Sequence, residues 1–584
     1  MQPNPGDQPT SSSLRRWLPL GAAAVAALVV AALVVSGGGD DGAGTDTTTS
    51  APPATTAPTT TSNGTGAPTT DAPAADELVF PLSFEAAVEQ GLEVTWNERC
   101  DTDRGVLAVP DFFASSCYAP FDDRDNGGAT DQGVTADGIT VVYYLGLEND
   151  PIIDYITDAL AVDESNEAVF DTLSVLDEYY ATYYETYGRR VNLIRFDGTG
   201  LANDAVAARA DAVRIAEEYE PFMVLGGPAL TNAFADELAA RGVACISCTP
   251  SQPGDWYAQR DPLVWSVDAS SSQKDAHFVD FVAQYLVGGV AEFAGGGLTT
   301  QPRRFGLLYL DGDGAAERVD ELTEALAAQG VELAETIPYE LNPATLQQTA
   351  AQVIARMKAA GVTTVLFNGD PVAPRDFTRE ATAQDWFPEW VLGAVALADT
   401  TAFSRTYDQQ QWRGAFGITT LAARLLPEQS GSYRLHTWFA GEPPAAPDSV
   451  GVVAPPLSLF YAVVQATGPE LTHETWRDAL MVGAGSRRAI SQPSLSWGDH
   501  GYWPDTDYHG IDDVTVIWWD PEAEGPDEIR REGKGMWRYH DGGKRYMPGN
   551  LVRSGSLFDP AVGVTLYEEA PPGEAPPEYP PPRR

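Results

Sequence analysis

The chain has 584 residues, 43% of them apolar and 20% charged, which is typical of a globular protein with more than one domain. Its 36 Lys and Arg stand against 83 Asp and Glu, a formal net charge of -47 at pH 7. Phosphate backbones repel so acidic a surface, and we therefore exclude nucleic acid as a partner.

An apolar run near the N-terminus predicts a membrane-spanning helix. Residues 17–35 read WLPLGAAAVAALVVAALVV and carry no charge. At about 1.5 Å per residue, such a helix covers about 28 Å, close to the thickness of a bilayer core. Arg15 and Arg16 precede the run, so we expect residues 1–16 in the cytoplasm and the folded part outside the cell membrane, in a single-pass protein. The alternative is a signal peptide cleaved near VSG at 35–37, and both interpretations export the rest of the chain.

Three segments of distinct composition border the regular part of the chain. Residues 36–76 are mostly Thr, Pro, Ala, Gly, Ser and Asp, which predicts a disordered linker. Residues 77–137 form an extension with few long elements, which contains Cys100 and Cys117. Residues 551–584 form a Pro-rich C-terminal tail.

From residue 138 onward, predicted strands and helices alternate. Runs rich in β-branched and aromatic residues predict strands, and apolar residues three or four positions apart predict helices. The first block of strands covers 138–146, 191–196, 221–227 and 243–247. The second block covers 304–310, 331–339, 363–369 and 390–395. Two alternating blocks predict an α/β protein with parallel sheets in two Rossmann-like lobes joined by a hinge.

The order of these segments resembles the type I periplasmic-binding-protein fold, specifically the leucine-binding, branched-chain-amino-acid group of ABC-transporter substrate-binding proteins. The resemblance covers about residues 134–520 and is carried by GVTADGITVVYYLG, VLGGPALTNAFADELAARGVACISCTP, VWSVDASSSQKDAHFVDFVAQYL, RFGLLYLDGDG, VTTVLFNG and SLSWGDHGYWPDTDYHGIDDVTVIWWD. The anchor and linker indicate a membrane-anchored, actinobacterial type. The resemblance implies a first lobe of 138–267 and 398–490 and a second lobe of 268–397 and 491–550.

The resemblance also implies a ligand in the cleft between the lobes, held by the loops that follow the strands. In lobe 1 the implied residues are Tyr144, Gly227, Pro228, Ala229, Thr249, Pro250 and Ser251. In lobe 2 they are Asp311, Gly312, Asn368 and Asp370. The loop after the third strand leads into a helix whose free N–H groups suit a ligand carboxylate.

One departure from the family pattern concerns the ligand's amine. Amino-acid-binding members place an acidic residue after the strand at 390–395, where this chain has Ala394, Val395 and Ala396. Asp399 stands further along the chain, and Asp370 is a possible substitute. This departure argues against an α-amino acid as the ligand. The resemblance implies a small polar solute more broadly: an amino acid, an amide or a short peptide.

The four cysteines allow three pairings, and pairing by proximity joins Cys100 to Cys117 and Cys245 to Cys248. In a straight strand, cysteines three positions apart lie about 10 Å apart, so the second bridge requires the chain to turn after Ile246. Such a bridge would brace the loop with Thr249. The alternatives are a thioredoxin-like redox motif, for which TPSQPG is a poor helix start, and free thiols.

No pattern in the chain predicts a metal, a cofactor or an enzyme active site. Residues 504–513 partly match a calcium loop, but Val516 stands where a bidentate Glu is needed. The resemblance implies an extracellular binding protein that delivers a small-molecule solute to an ABC permease in the membrane. The alternatives are an exported thiol-disulfide oxidoreductase using Cys245 and Cys248, or a ligand-sensing ectodomain.

Overall fold

The computed structural model describes residues 78–122, 124–157, 164–312, 315–342, 344–395, 397–429, 431–483, 485–486 and 488–582. The predicted cytoplasmic segment, membrane span and linker, residues 1–76, lie outside these ranges.

The extension before the first lobe is a small unit closed by a disulfide between Cys100 and Cys117. It contains helix α1 (Phe84–Gln90) and the antiparallel strands β1 (Cys100–Asp101) and β2 (Val106–Leu107). The buried guanidinium of Arg189 in lobe 1 donates to three carbonyls of the extension, those of Asn126, Gly128 and Thr135. These hydrogen bonds hold the end of the extension against lobe 1.

Lobe 1 is built on a five-stranded parallel sheet in the order β4-β3-β5-β6-β7. Its strands are β3 (Gly138–Leu145), β4 (Arg190–Asp197), β5 (Met223–Leu225), β6 (Ala244–Ile246) and β7 (Val264–Trp265). The helices between and after them are α2 (Pro151–Thr157), α3 (Asn166–Tyr183), α4 (Ala205–Glu218), α5 (Ala233–Ala240) and α6 (Gly254–Ala258). The chain then crosses to lobe 2.

Lobe 2 contains an eight-stranded sheet in the order β9-β8-β10-β11-β12-β13-β14, with β15 paired to β13. Its strands are β8 (Phe305–Leu310), β9 (Leu333–Tyr339), β10 (Thr364–Asn368), β11 (Glu389–Gly393), β12 (Ala415–Thr419), β13 (Val514–Pro526), β14 (Glu532–Tyr539) and β15 (Arg545–Tyr546). Its helices are α7 (Ser271–Tyr285), α8 (Ala315–Ala328), α9 (Leu346–Ala359), α10 (Pro374–Ala383), α11 (Thr401–Ser404) and α12 (Gln409–Trp412). Strands β8 to β12 are parallel, and β13 to β15 close the sheet in antiparallel pairs.

After β12 the chain returns to lobe 1. Helices α13 (Gly431–Ala440), α14 (Val450–Thr467) and α15 (His473–Val482) bury their apolar residues in the same core as β3. Three crossovers therefore join the lobes, at 266–270, 420–430 and 483–513. The predicted lobe boundary at 398 needs correction, because β12 lies beyond it and yet pairs in parallel with β11 in the second sheet.

One helix in the described part of the chain is long and apolar enough to cross a membrane. This is α14, and 56% of it is buried inside the protein. Leu457, Phe460 and Tyr461 on it are fully buried against lobe 1. We therefore interpret α14 as a core helix of lobe 1.

Candidate functional site

A pocket of about 320 Å³, its open mouth included, lies at the carboxyl ends of β3 and β5 in lobe 1. It is lined by Tyr144, Gly146, Leu147, Asp150, Ile153, Gly200, Ala202, Gly227, Pro228 and Ala229. This is the edge of a parallel sheet at which ligands of α/β proteins bind. Four of the residues predicted from the sequence border it: Tyr144, Gly227, Pro228 and Ala229.

Lobe 2 contacts lobe 1 beside this pocket. Ile153 and Ala229 pack into one buried cluster with Val372 of the loop before α10. The guanidinium carbon of Arg375 lies 5.4 Å from the ring centroid of Tyr155 on α2. The pocket therefore lies where the lobes meet.

The Cys245–Cys248 bridge is present, and the chain makes the turn that it requires. The two Cα atoms are 5.9 Å apart, and Ser247 between them has a φ of 54° in the left-handed region. The turned loop packs against Gly227, where a Cβ would lie only 2.5 Å from the Cys248 carbonyl oxygen. The disulfide thus fixes the loop that supports the pocket wall, as the brace interpretation predicts.

The surroundings of this disulfide do not suit a redox centre. Cys245 and Cys248 are both 0% exposed and belong to the apolar core of lobe 1. Thiol exchange requires an attacking thiolate to reach a sulfur atom. The segment TPSQPG is expected to be a poor helix start, and yet helix α6 begins at its last residue, Gly254. This helix starts well beyond Cys248, whereas a thioredoxin-like motif has its cysteines at the start of the helix.

The loop after the disulfide carries a hydroxyl that has no partner among the described residues. Thr249 is buried, and its Oγ1 makes no hydrogen bond. The Ser251 hydroxyl donates to the carbonyl of Ala269 in the first crossover, at 3.5 Å. Pro250 lies between them. A buried hydroxyl without a partner is costly. The three residues predicted in this loop, Thr249, Pro250 and Ser251, are not among those that line the pocket.

The ring of Tyr144 lies in the core of lobe 1 and does not cover the cleft. It packs on Phe196 and Phe234, and its hydroxyl donates to the Asp211 carboxylate at 3.3 Å. Tyr144 is nevertheless among the residues that border the pocket.

The four residues predicted in lobe 2 do not line the pocket. Asp370 accepts hydrogen bonds from the N–H groups of Val372 and Ala373, at 2.7 and 2.9 Å, and from the Tyr339 hydroxyl at 2.6 Å. It therefore supports the start of α10 and does not replace the missing acid of the family pattern. Asn368 donates to Asp275 at 3.0 Å, and Asp311 and Gly312 are exposed beyond β8.

The family pattern expects an acidic residue after the strand at 390–395. Asp399 is a buried acid that follows this strand, β11. It is 3% exposed, accepts from the Thr419 hydroxyl at 2.5 Å, and leaves Oδ1 without a partner among the described residues. Burial raises the pKa of Asp399 to about 7, against the opposing effects of the Thr419 hydrogen bond and the Lys274 charge. Ala394 and Val395 are buried, and Ala396 lies outside the described residues.

Sequence reasoning missed six residues of the pocket: Gly146, Leu147, Asp150, Ile153, Gly200 and Ala202. Most stand in the long connection from β3 to α3 and after β4. Asp150 offered a signal, since it precedes Pro151 at the first position of a helix. Its carboxylate accepts from the N–H of Ala202 at 2.6 Å and so joins the two loops.

The segment considered for calcium forms a polar hairpin. Gly498 pairs with Asp507, and Leu495 pairs with Ile511. Within the described ranges, no group of three His, Cys, Asp or Glu side chains is arranged to hold a metal ion.

Several solved structures are similar to this chain at low sequence identity. A solute-binding protein of an ABC transporter from R. palustris, in complex with 4-hydroxybenzoate, is 12% identical, with a TM-score of 0.47 over 68% of this chain and 97% of that one. A putative branched-chain amino acid ABC transporter from Rhodospirillum rubrum is 15% identical, with a TM-score of 0.42 over 65% and 97%. The branched-chain amino acid substrate-binding protein LivJ from Streptococcus pneumoniae, in complex with isoleucine, is 13% identical, with a TM-score of 0.45 over 69% and 100%.

No curated protein matches the chain. The profile of a family described as periplasmic binding protein matches residues 160–480, more than half of the chain. That match agrees with the two parallel-sheet lobes and with the pocket where they meet. The chain belongs to the periplasmic-binding-protein family of type I fold, whose members are exported solute-binding proteins and not enzymes.

Proposed function

We propose that this protein captures a small polar solute between its lobes and delivers it to an ABC permease in the cell membrane. The solute is an amino acid, an amide or a short peptide. The N-terminal helix at 17–35 anchors the protein, and the folded part works on the extracellular side.

The observation that carries this proposal is the pocket at the carboxyl ends of β3 and β5. Its lining is mostly apolar side chains and glycine backbone, which suits a small uncharged part of a ligand. Thr249 Oγ1 in the braced loop and Asp399 Oδ1 in lobe 2 do not line this pocket, but they are buried polar atoms without partners among the described residues. We propose that the polar groups of the solute reach them when the lobes close on it.

Burial of Cys245 and Cys248 argues against the alternative of a thiol-disulfide oxidoreductase. The ligand-sensing alternative shares the same pocket and differs only in the membrane partner. Solute binding is therefore the step to test first.

The test is thermal denaturation of the full chain against amino acids, amides, short peptides, sugars and aromatic acids. A solute that binds only the folded state stabilises it by about 2.7 kcal/mol at 100 times its Kd, and the midpoint rises. We expect one chemical class to raise it. A folded protein whose midpoint no compound shifts would contradict the proposal.

Two matched variants locate the binding site. Thr249→Val removes the hydroxyl without a partner, so the unliganded protein should keep its stability while Kd rises about 2- to 12-fold, the value of one neutral hydrogen bond. Thr401→Val is the control, because Thr401 is also buried with a hydroxyl that lacks a partner among the described residues, but lies on α11 of lobe 2. Equal Kd values in both variants would remove Thr249 from the site.

A further inference from the structure

The segment after the second sheet begins firmly attached to lobe 2. The Phe558 ring packs on Phe416 of β12, with ring centroids 5.8 Å apart. Val564 exchanges two backbone hydrogen bonds with Tyr539 of β14, at 2.7 and 3.0 Å. The tail therefore starts as part of lobe 2.

The same segment next runs along the second crossover. The N–H of Tyr567 donates to the carbonyl of Arg424 at 2.8 Å, and the N–H of Leu426 donates to the carbonyl of Tyr567 at 3.3 Å. The Gln429 side chain donates to the carbonyl of Glu568 at 2.8 Å. These contacts pair the tail with the connection from β12 to α13.

Glu574 then binds the third crossover. Its carboxylate accepts from the N–H groups of Ile490 and Ser491, at 2.8 and 3.0 Å, and from the Ser491 hydroxyl at 2.6 Å. Hydrogen bonds to an ionised acceptor are about twice as strong as neutral ones. One side chain thus holds the tail to the connection from α15 to β13.

Tyr579 ends the path on lobe 1. Its carbonyl accepts from the indole N–H of Trp438 on α13, at 2.9 Å. Its hydroxyl donates to Asp101 of the disulfide-closed extension and accepts from the Arg104 guanidinium at 3.3 Å. Residues 567–582 therefore span from lobe 2 to lobe 1.

We propose that residues 567–582 form a strap that limits the hinge rotation by which the lobes separate. Opening a two-lobed protein bends its crossovers, and the strap is hydrogen-bonded to two of the three. The sequence APPGEAPPEYPPP from Ala570 has one turn, where the Glu574 N–H donates to the Pro571 carbonyl at 2.9 Å, and the proline-rich residues after it belong to a class of segments that is semi-rigid. A stiff strap that is attached at both ends resists an increase in the distance between the lobes.

The test is a distance measurement between spin labels on the two lobes of the full chain. Val206→Cys on α4 and Glu324→Cys on α8 place labels at exposed positions in lobe 1 and lobe 2. All four native cysteines are in disulfides, so only the introduced thiols react. The measurement needs no ligand, and a failure of the strap is therefore distinguishable from a failure of solute binding.

We expect a narrow distance distribution for the full chain and an added population at longer distance when residues 570–584 are deleted. The double variant Glu574→Ala and Tyr579→Phe keeps the tail but removes two of its attachments, and it should show the same change to a smaller extent. Glu578→Gln, at an exposed position of the strap, should leave the distribution unchanged. Identical distance distributions in the full chain, the deletion variant and the double variant would overturn the proposal. If the deletion variant does not fold, the comparison of the double variant with the full chain tests the proposal.

Discussion

At the scale of single residues, two loops that follow strands each carry a buried polar atom: the loop after β6 and the loop after β11. Thr249 Oγ1 and Asp399 Oδ1 have no hydrogen-bond partner among the described residues. For Asp399 the cost of burial falls on the charged form, so the folded protein retains the proton to a pH of about 7. In the unfolded chain the same carboxyl is solvated and has the ordinary aspartate pKa of 3.8.

This difference predicts a pH dependence of stability. The contribution of Asp399 to the stability of the folded state is fully present below about pH 4 and is lost as the pH rises through about 7. The reason is that the Asp399 carboxyl loses its proton at a lower pH in the unfolded chain than in the folded protein. Asp399→Asn cannot ionise. Between about pH 4.5 and pH 8 its free energy of unfolding should therefore fall less than that of the unsubstituted protein, by up to about 3 kcal/mol.

Urea denaturation at both pH values measures this effect. Asp320→Asn on the exposed face of α8 is the control and should leave the pH dependence unchanged. A pH dependence in the Asp399 variant as steep as that of the unsubstituted protein would contradict the prediction.

The residue scale also shows where sequence reasoning fails. Tyr144 lies near the end of β3, which is buried on both faces there, so no alternation of polar and apolar residues indicates the direction of its side chain. Asp370 looked available after β10, but the N–H groups of Val372 and Ala373, just before α10, occupy its carboxylate. The residues predicted for their loop backbone, Gly227 to Ala229, lie at the pocket. Predictions for side chains fail more easily, because the direction and the partners of a side chain depend on neighbours that are distant in sequence.

At the scale of elements, the most informative unit is β6 with its disulfide-closed turn. The bridge joins residues three positions apart and holds the Cys248 carbonyl against Gly227, on the pocket wall. A cross-link stabilises mainly by restricting the unfolded chain, and a loop this short contributes about 2 kcal/mol.

Replacing both Cys245 and Cys248 with Ala should lower the free energy of unfolding by about 2 kcal/mol and weaken solute binding, because the loop of Thr249 is no longer fixed. Urea denaturation and titration of the solute found by thermal shift measure the two effects. The control replaces Cys100 and Cys117 with Ala: it should lower stability but keep the affinity, since that bridge lies in the extension. An unchanged affinity in the first variant would show that the bridge is not a brace.

Most elements of the two sheets could be predicted because their strands are continuous apolar runs of several residues. Each of the eight predicted strands is present, with ends that differ by about two residues at most. Strand β7 has two residues, and α11 and α12 have four each, too short for a periodic signal. Strand β12 was missed, which is why the lobe boundary at 398 was set too early.

At the scale of the whole molecule, the net charge of -47 opposes the compact state. Raising NaCl from about 10 mM to about 150 mM shortens the screening length from about 30 Å to about 8 Å. Screening weakens both the ion pairs and the general repulsion, and with so large an excess of acid the repulsion dominates. We expect the thermal midpoint to rise by roughly 1 °C, which corresponds to about 1 kcal/mol in a protein of this length.

Differential scanning calorimetry over this range of salt checks the expectation. Choline chloride at equal ionic strength is the control and should act like NaCl, because screening does not depend on the identity of the cation. A midpoint that falls with salt, or that responds to Na⁺ alone, would contradict it.

Helix α14 has a consequence for the synthesis of the protein. Its 18 residues have a mean hydropathy of 1.5, so an export channel meets a segment that resembles a membrane span before the fold exists to cover it. Pro455 and Pro456 lie inside this helix. Proline costs about 3 kcal/mol in the interior of an isolated helix, so the nascent segment is a poor helix outside lobe 1. The proline pair thereby favours passage of the segment through the channel over its release into the lipid.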